Sequence, residues 1–260
     1  MAPRSRSADL PSLRPSAVLL DVGGTLWPDR WPARPSDRDT RAVALQRAVP
    51  GLTPSTALRL HDALTAGAGR LGAATAPALA AVIEQALSEV AAFDGRMATP
   101  LQADDWTQAR IRAAMCLPAP GRVRLFRGAR SLLACIRALG LRCIVVSNST
   151  WRDAAAYRRD FAAFGAGELV DEVIASVDLP ACKPDPLFFD AALAAAGCAA
   201  ERCVLIGNSE ANDIAPALAR GMRGIRAAIE EPLPVATAAE ALVTSLAAAR
   251  RVLTAWCTAN

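Results

Sequence analysis

The chain has 260 residues, 53% hydrophobic and 21% charged, a globular balance with enough apolar material for one large domain or a core with a smaller companion. Its net charge of +4 is spread over many arginines, with no dense basic run and a single tyrosine, which argues against a nucleic-acid-binding protein. Seven cysteines without a CxxC pair, and His61 as the only histidine, argue against a zinc site or a disulfide framework, so reduced thiols in the cytoplasm are expected.

Residues 1–16 are polar and proline-bearing and read as a disordered tail. The apolar run Ala17 to Leu20 meets Asp21 almost at once, too short for a signal peptide or a membrane span, and no membrane partner is expected. Residues 17–22 form a short buried strand that stops at Gly23-Gly24. The following stretch, 28–122, predicts four helices. Their start signals are Ser36 with Asp39, Thr53-Pro54, Thr75 ahead of Pro77, and Thr99-Pro100. Short apolar strands at 142–146, 203–206 and 224–229 then alternate with helices at 129–139, 151–164, 186–196 and 212–219. That alternation predicts an α/β fold, a parallel sheet covered on both faces, with an all-helical module inserted after its first strand. Thr237 and Glu240 read as a capping box before a last helix running toward Trp256.

Lys183 is the only lysine among 29 basic residues. An ammonium is a compact point charge, whereas a guanidinium is a wide planar fork, and a crowded anionic site needs the former. Ligands of a parallel sheet bind beyond the carboxyl ends of the strands. Those ends are polar here: Asp21, Ser147-Asn148, and Gly207-Asn208 with Asp213 soon after, while Lys183 lies in the loop between the second and third of them. An acid closing a buried apolar run is costly unless it is used.

Four segments, in this order, resemble the motifs of the haloacid dehalogenase-like (HAD) superfamily. Asp21-Val-Gly-Gly-Thr25-Leu26 is similar to its first motif, Val146-Ser147-Asn148 to its second, Lys183-Pro184-Asp185-Pro186 to its third, and Gly207 to Asp213 to its fourth. The resemblance implies a Rossmann-like core, residues 17–27 and 123–260, with a helical cap at 28–122. It implies a phosphatase of a small phosphorylated metabolite, with Asp21 as nucleophile, Lys183 and Ser147 as catalytic partners, and Asn148, Thr25 and Gly24 around the substrate. It also implies Mg2+ on Asp21, the Gly23 carbonyl, Asn208 and Asp213. An aspartyl-phosphate on Asp21 is the intermediate of that chemistry.

Two positions depart from the family pattern. A second aspartate, the general acid of the phosphatases, normally stands where Gly23 is, and Asn208 stands where another is usual. Four carboxylates become two, so metal affinity should fall. A general acid is typically worth ~10²–10⁴ in rate, and Gly23→Asp should therefore raise turnover on simple phosphate esters. Two alternatives stay open: a catalytically impaired protein that binds a phosphorylated ligand or a partner, and a metal-independent 2-haloacid dehalogenase-like hydrolase in which Asp21 attacks carbon. Trp27, Trp31, Arg30 and Arg34 face the substrate or serve as hinge packing and surface charge. His61 is expected on the solvated side of a cap helix, and the cysteines as small core residues.

Overall fold

The computed structural model describes residues 13–31, 34–71, 74–93, 103–233 and 235–258. Most of the expected tail, 1–12, and the Thr99-Pro100 helix start lie outside the described residues.

Strand β1 (Ala17–Leu20) is followed by four helices: α1 (Asp37–Ala48), α2 (Pro54–Gly69), α3 (Ala76–Phe93) and α4 (Asp105–Met115). Thr53 opens α2 with a capping box closed by Thr56. Ser36 precedes α1 without a side-chain cap, and Asp104 caps α4 by accepting from the Thr107 N–H at 2.7 Å. Helix α3 is long and apolar enough by composition to cross a membrane, but its Leu79, Ile83, Leu87 and Val90 are buried at helical spacing and it packs on α2. His61 departs from expectation: it is buried on the inner face of α2, with Nδ1 3.0 Å from Asp62.

The chain returns to the core through α5 (Ala129–Ala138), β2 (Arg142–Ser147), α6 (Ala154–Ala163), β3 (Glu172–Ala175), α7 (Pro186–Ala196), β4 (Cys203–Gly207), α8 (Ala215–Ala219), β5 (Arg223–Ala227), β6 (Ala241–Val243) and α9 (Leu246–Thr258). The six strands form one parallel sheet in the order β3-β2-β1-β4-β5-β6, a Rossmann-like arrangement. Its pleat sorts the apolar residues. Val18, Leu20, Val145 and Ile206 face the cluster of α5, α6 and α9, while Leu19, Ile144, Val146 and Leu205 meet Phe188 and Phe189 of α7. Each fully buried phenylalanine contributes roughly 1.5–3 kcal/mol relative to exposure.

Three expectations change. Strands β3 and β6 are additions at the sheet edges. The helix expected over 212–219 opens as a wide π-turn, Glu210–Ile214, before α8. The capping box at Thr237 does not form. Glu240 instead accepts from the Gly224 N–H at 2.6 Å, Thr237 donates to Glu210, and β6 intervenes before α9.

Candidate active site

Register brings the polar strand ends level. Leu20 pairs with Val145 of β2 and with Ile206 of β4, so Asp21 emerges beside Val146-Ser147 and Gly207-Asn208. Between them the Lys183 ammonium lies 2.6 Å from Asp21 Oδ1 and 2.7 Å from Asp213 Oδ1. It also donates to the Val146 carbonyl at 3.3 Å. All three residues are at most 5% exposed. The sole lysine is therefore the shared cation of two buried carboxylates.

Local backbone features build this group. The π-turn brings Asp213 back over its own strand end, where Oδ2 accepts from the Ser209 N–H at 3.0 Å. Gly207 has no side chain because a Cβ there would meet the Asp213 carboxyl carbon at 2.6 Å. Thr25 donates to Asp21 Oδ2 at 2.9 Å. Gly24 has φ +71 and lies under the Asn208 amide, whose nitrogen would be 2.2 Å from a Cβ. Asn148, expected beside the substrate, has both ends of its amide on the Lys183 backbone at 2.8 Å. It sets where the lysine side chain starts.

Burial pushes the Asp21 carboxyl up to about 6, against the pull of Lys183 and with a further push from Asp213. Burial works against the Lys183 charge too, but the two carboxylates outweigh it and hold its pKa above the usual lysine value. Two carboxylates and one ammonium leave one negative charge uncompensated in a desolvated place.

Ser147 is buried and its Oγ lies 2.6 Å from the phenol oxygen of Tyr157. Burial pushes that phenol up to about 12, so it stays a neutral hydroxyl. The Tyr157 ring stacks on Trp27 at 5.9 Å, and Phe161 lies 5.5 Å from the same indole. Trp27 thus packs at the hinge and also lines the cavity above Asp21. Trp31 meets its edge at 6.3 Å and carries the Arg152 guanidinium over its face at 4.7 Å. Arg152 in turn binds buried Asp160 and the Leu117 carbonyl, which ties the returning cap segment to α6. Arg34 donates to the Gly121 carbonyl and Arg30 is exposed. Tyr157, Arg152 and Asp160 were not singled out in the sequence, where they read as ordinary helix residues.

Cap and core enclose a cavity of about 710 Å³. Asp21, Ser147 and Lys183 lie at its core side, and Arg41 and Arg122 reach it from the cap side. Arg122 pairs with Asp37 at 2.5 Å, whereas the Nε of Arg41 donates to the Met115 carbonyl at 2.9 Å.

The family model of haloacid dehalogenase-like hydrolases matches residues 15–221 of this chain. No curated protein matches it by sequence. Solved structures match along nearly its whole length. The 2-haloacid dehalogenase of Pseudomonas syringae pv. Tomato DC3000 is 19% identical with a TM-score of 0.59, over 93% of this chain and 99% of that one. The magnesium-bound HAD-hydrolase YfnB of Bacillus subtilis is 16% identical with a TM-score of 0.54, over 93% and 99%. A HAD phosphatase of Thermococcus onnurineus is 18% identical with a TM-score of 0.52, over 92% and 97%. At these identities the likeness is one of fold.

Proposed function

Because this chain belongs to the haloacid dehalogenase-like hydrolases, we propose that it is a Mg2+-dependent phosphatase of a small phosphorylated metabolite, acting through an aspartyl-phosphate on Asp21. The observation that carries this reading is the Asp21–Lys183–Asp213 group, buried at the floor of the cavity with both contacts under 3 Å.

A carboxylate oxygen of Asp21 bonds to phosphorus as the ester P–O bond breaks. Water then cleaves the acyl phosphate, and inorganic phosphate leaves. Thr25 and Lys183 hold the two oxygens of Asp21, so the nucleophile needs little reorientation. Lys183 faces the negative charge of the transferring group, and Ser147, aligned by Tyr157, donates to a phosphoryl oxygen.

The oxygen donors here fit a hard cation: the carboxylates of Asp21 and Asp213, the Gly23 carbonyl and the Asn208 amide oxygen. Among the described residues no cluster of three or more His, Cys, Asp or Glu could hold a metal, so only two of these donors would be charged, and water and substrate would complete the coordination sphere. When bound, Mg2+ supplies the positive charge that two carboxylates and one lysine lack.

The test is phosphate release from acetyl phosphate and a panel of sugar phosphates, with and without Mg2+, against Asp21→Asn. Metal-dependent release that the variant abolishes supports the reading. No release from the folded protein with metal present overturns it and leaves halide release from 2-haloacids, or ligand binding without turnover, to be measured.

A further inference from the structure

Gly23 stands where a carboxylic acid would protonate the leaving group, and the place of its missing side chain is already taken. A Cβ on Gly23 would lie 2.6 Å from Oδ1 of Asp29 and 3.6 Å from its Cγ. Asp29 sits on the loop that leaves the nucleophile strand, two positions after Trp27. That indole is buried against Tyr157 and Phe161, and the Trp27 carbonyl accepts from the Gly24 N–H at 2.8 Å. The loop is therefore folded back on Gly23 and pinned by a buried anchor. Asp29 adds a bond from its own N–H to Glu230 at 3.3 Å. Gly23 and Asp29 line the same cavity as Asp21, Ser147 and Lys183. Among the described residues no cation pairs with the Asp29 carboxyl group, and it is exposed to the cavity solvent.

We propose that Asp29 is the proton donor of this hydrolase, a carboxylic acid delivered from the hinge loop into the space beside Gly23. The inference rests on the phosphatase reading above and names the group that reading lacks. In the first step Asp21 bonds to phosphorus, the ester P–O bond breaks, and the departing oxygen takes the proton of the Asp29 carboxylic acid. In the second, the Asp29 carboxylate takes a proton from water as the water oxygen bonds to phosphorus. The P–O bond to Asp21 breaks, phosphate leaves, and Asp29 is an acid again. Protons balance over the cycle without another reactant.

The same geometry revises the expected gain from Gly23→Asp. A new side chain there meets the tip of Asp29, which can swing away because it is flexible and solvated. One carboxyl replaces another, so the single variant gains little. The gain should appear only when Asp29 has been removed.

The experiment compares phenyl phosphate with 4-nitrophenyl phosphate, esters of nearly the same shape whose leaving groups differ in their need for a proton. Asp29→Asn should lower kcat for phenyl phosphate by ~10² or more and for 4-nitrophenyl phosphate far less. Asp29→Ala should behave alike, and Gly23→Asp combined with Asp29→Ala should recover at least about tenfold of the loss. Equal losses on both esters, no loss on either, or a loss cured by more Mg2+ would overturn the role of Asp29 while leaving the phosphatase reading in place. A wild-type protein that cleaves neither ester nor any member of the panel overturns that reading, and this inference with it.

Discussion

The phenol of Tyr157 lies 2.6 Å from the hydroxyl of Ser147, and this bond fixes the second polar strand end to the aromatic hinge. Apart from it, the Ser147 hydroxyl has, among the described residues, only a 3.3 Å bond to the Asn148 carbonyl. When Tyr157 donates, the Ser147 proton is free to turn toward a phosphoryl oxygen. Tyr157→Phe removes about 1 kcal/mol of alignment, close to fivefold in kcat/KM. Ser147→Ala removes the bond to a charged oxygen and should cost roughly 10- to 100-fold. Steady-state kinetics on one substrate checks both. A Phe variant as impaired as the Ala variant would mean that Tyr157 itself reaches the substrate.

Asp21→Asn should stabilise the metal-free protein while ending turnover. Ionising a buried carboxyl whose pKa is about 6 costs folding on the order of 2–3 kcal/mol at neutral pH. The amide removes that cost and leaves Lys183 paired with Asp213. Thermal melts in EDTA at pH 7.5 should show Tm raised by several degrees. An unchanged or lowered Tm contradicts this account of the burial cost.

Lys183→Met should have the opposite sign. It leaves Asp21 and Asp213 buried without a cation, a loss of roughly 3–5 kcal/mol. Lys183→Arg should not restore activity, because a planar fork does not fit between two carboxylates spaced for one ammonium. Melts and phosphate release on the three proteins check this. An active arginine variant would remove the steric reason for the single lysine.

The acid limb of the pH profile follows from Asp21. A carboxyl whose folded pKa lies above its unfolded value keeps a proton in the folded state between about pH 4 and 6, so stability falls as pH rises through that window. Only the ionised form attacks, so kcat/KM should fall below about pH 6. Added Mg2+ favours the charged carboxylate and should move this acid limb to lower pH. An acid limb that stays in place while Mg2+ is titrated would argue against a metal on Asp21.

The central residues of the site are legible in the sequence because each ends an apolar run or breaks a compositional bias. Asp21 and Ser147 sit at strand ends, and Lys183 is the one ammonium in an arginine chain. What stays hidden depends on a partner distant in sequence. Tyr157 looks like any helix aromatic until Ser147 is placed against it. Asp29 is a loop acid until the bare backbone of Gly23 gives it a place. Glu240 has the spacing of a helix cap, yet the Gly224 N–H claims its carboxylate first. Strands β3 and β6 are short edge segments, and Ala241–Val243 is too brief for any periodicity.

The insertion of the cap after β1 also sets an order of events during synthesis. Helices α1 and α2 touch each other, as do α2 and α3, and such local contacts form early. The first strand has no such neighbours: Ala17 pairs with Arg142 on one side and Cys203 on the other. The chain must grow by roughly 190 residues before β1 has both partners, on the order of 10–40 s of translation. Until then the most apolar strand and the nucleophile beside it stand unpaired. The helical cap can fold in that interval, ahead of the sheet it will cover.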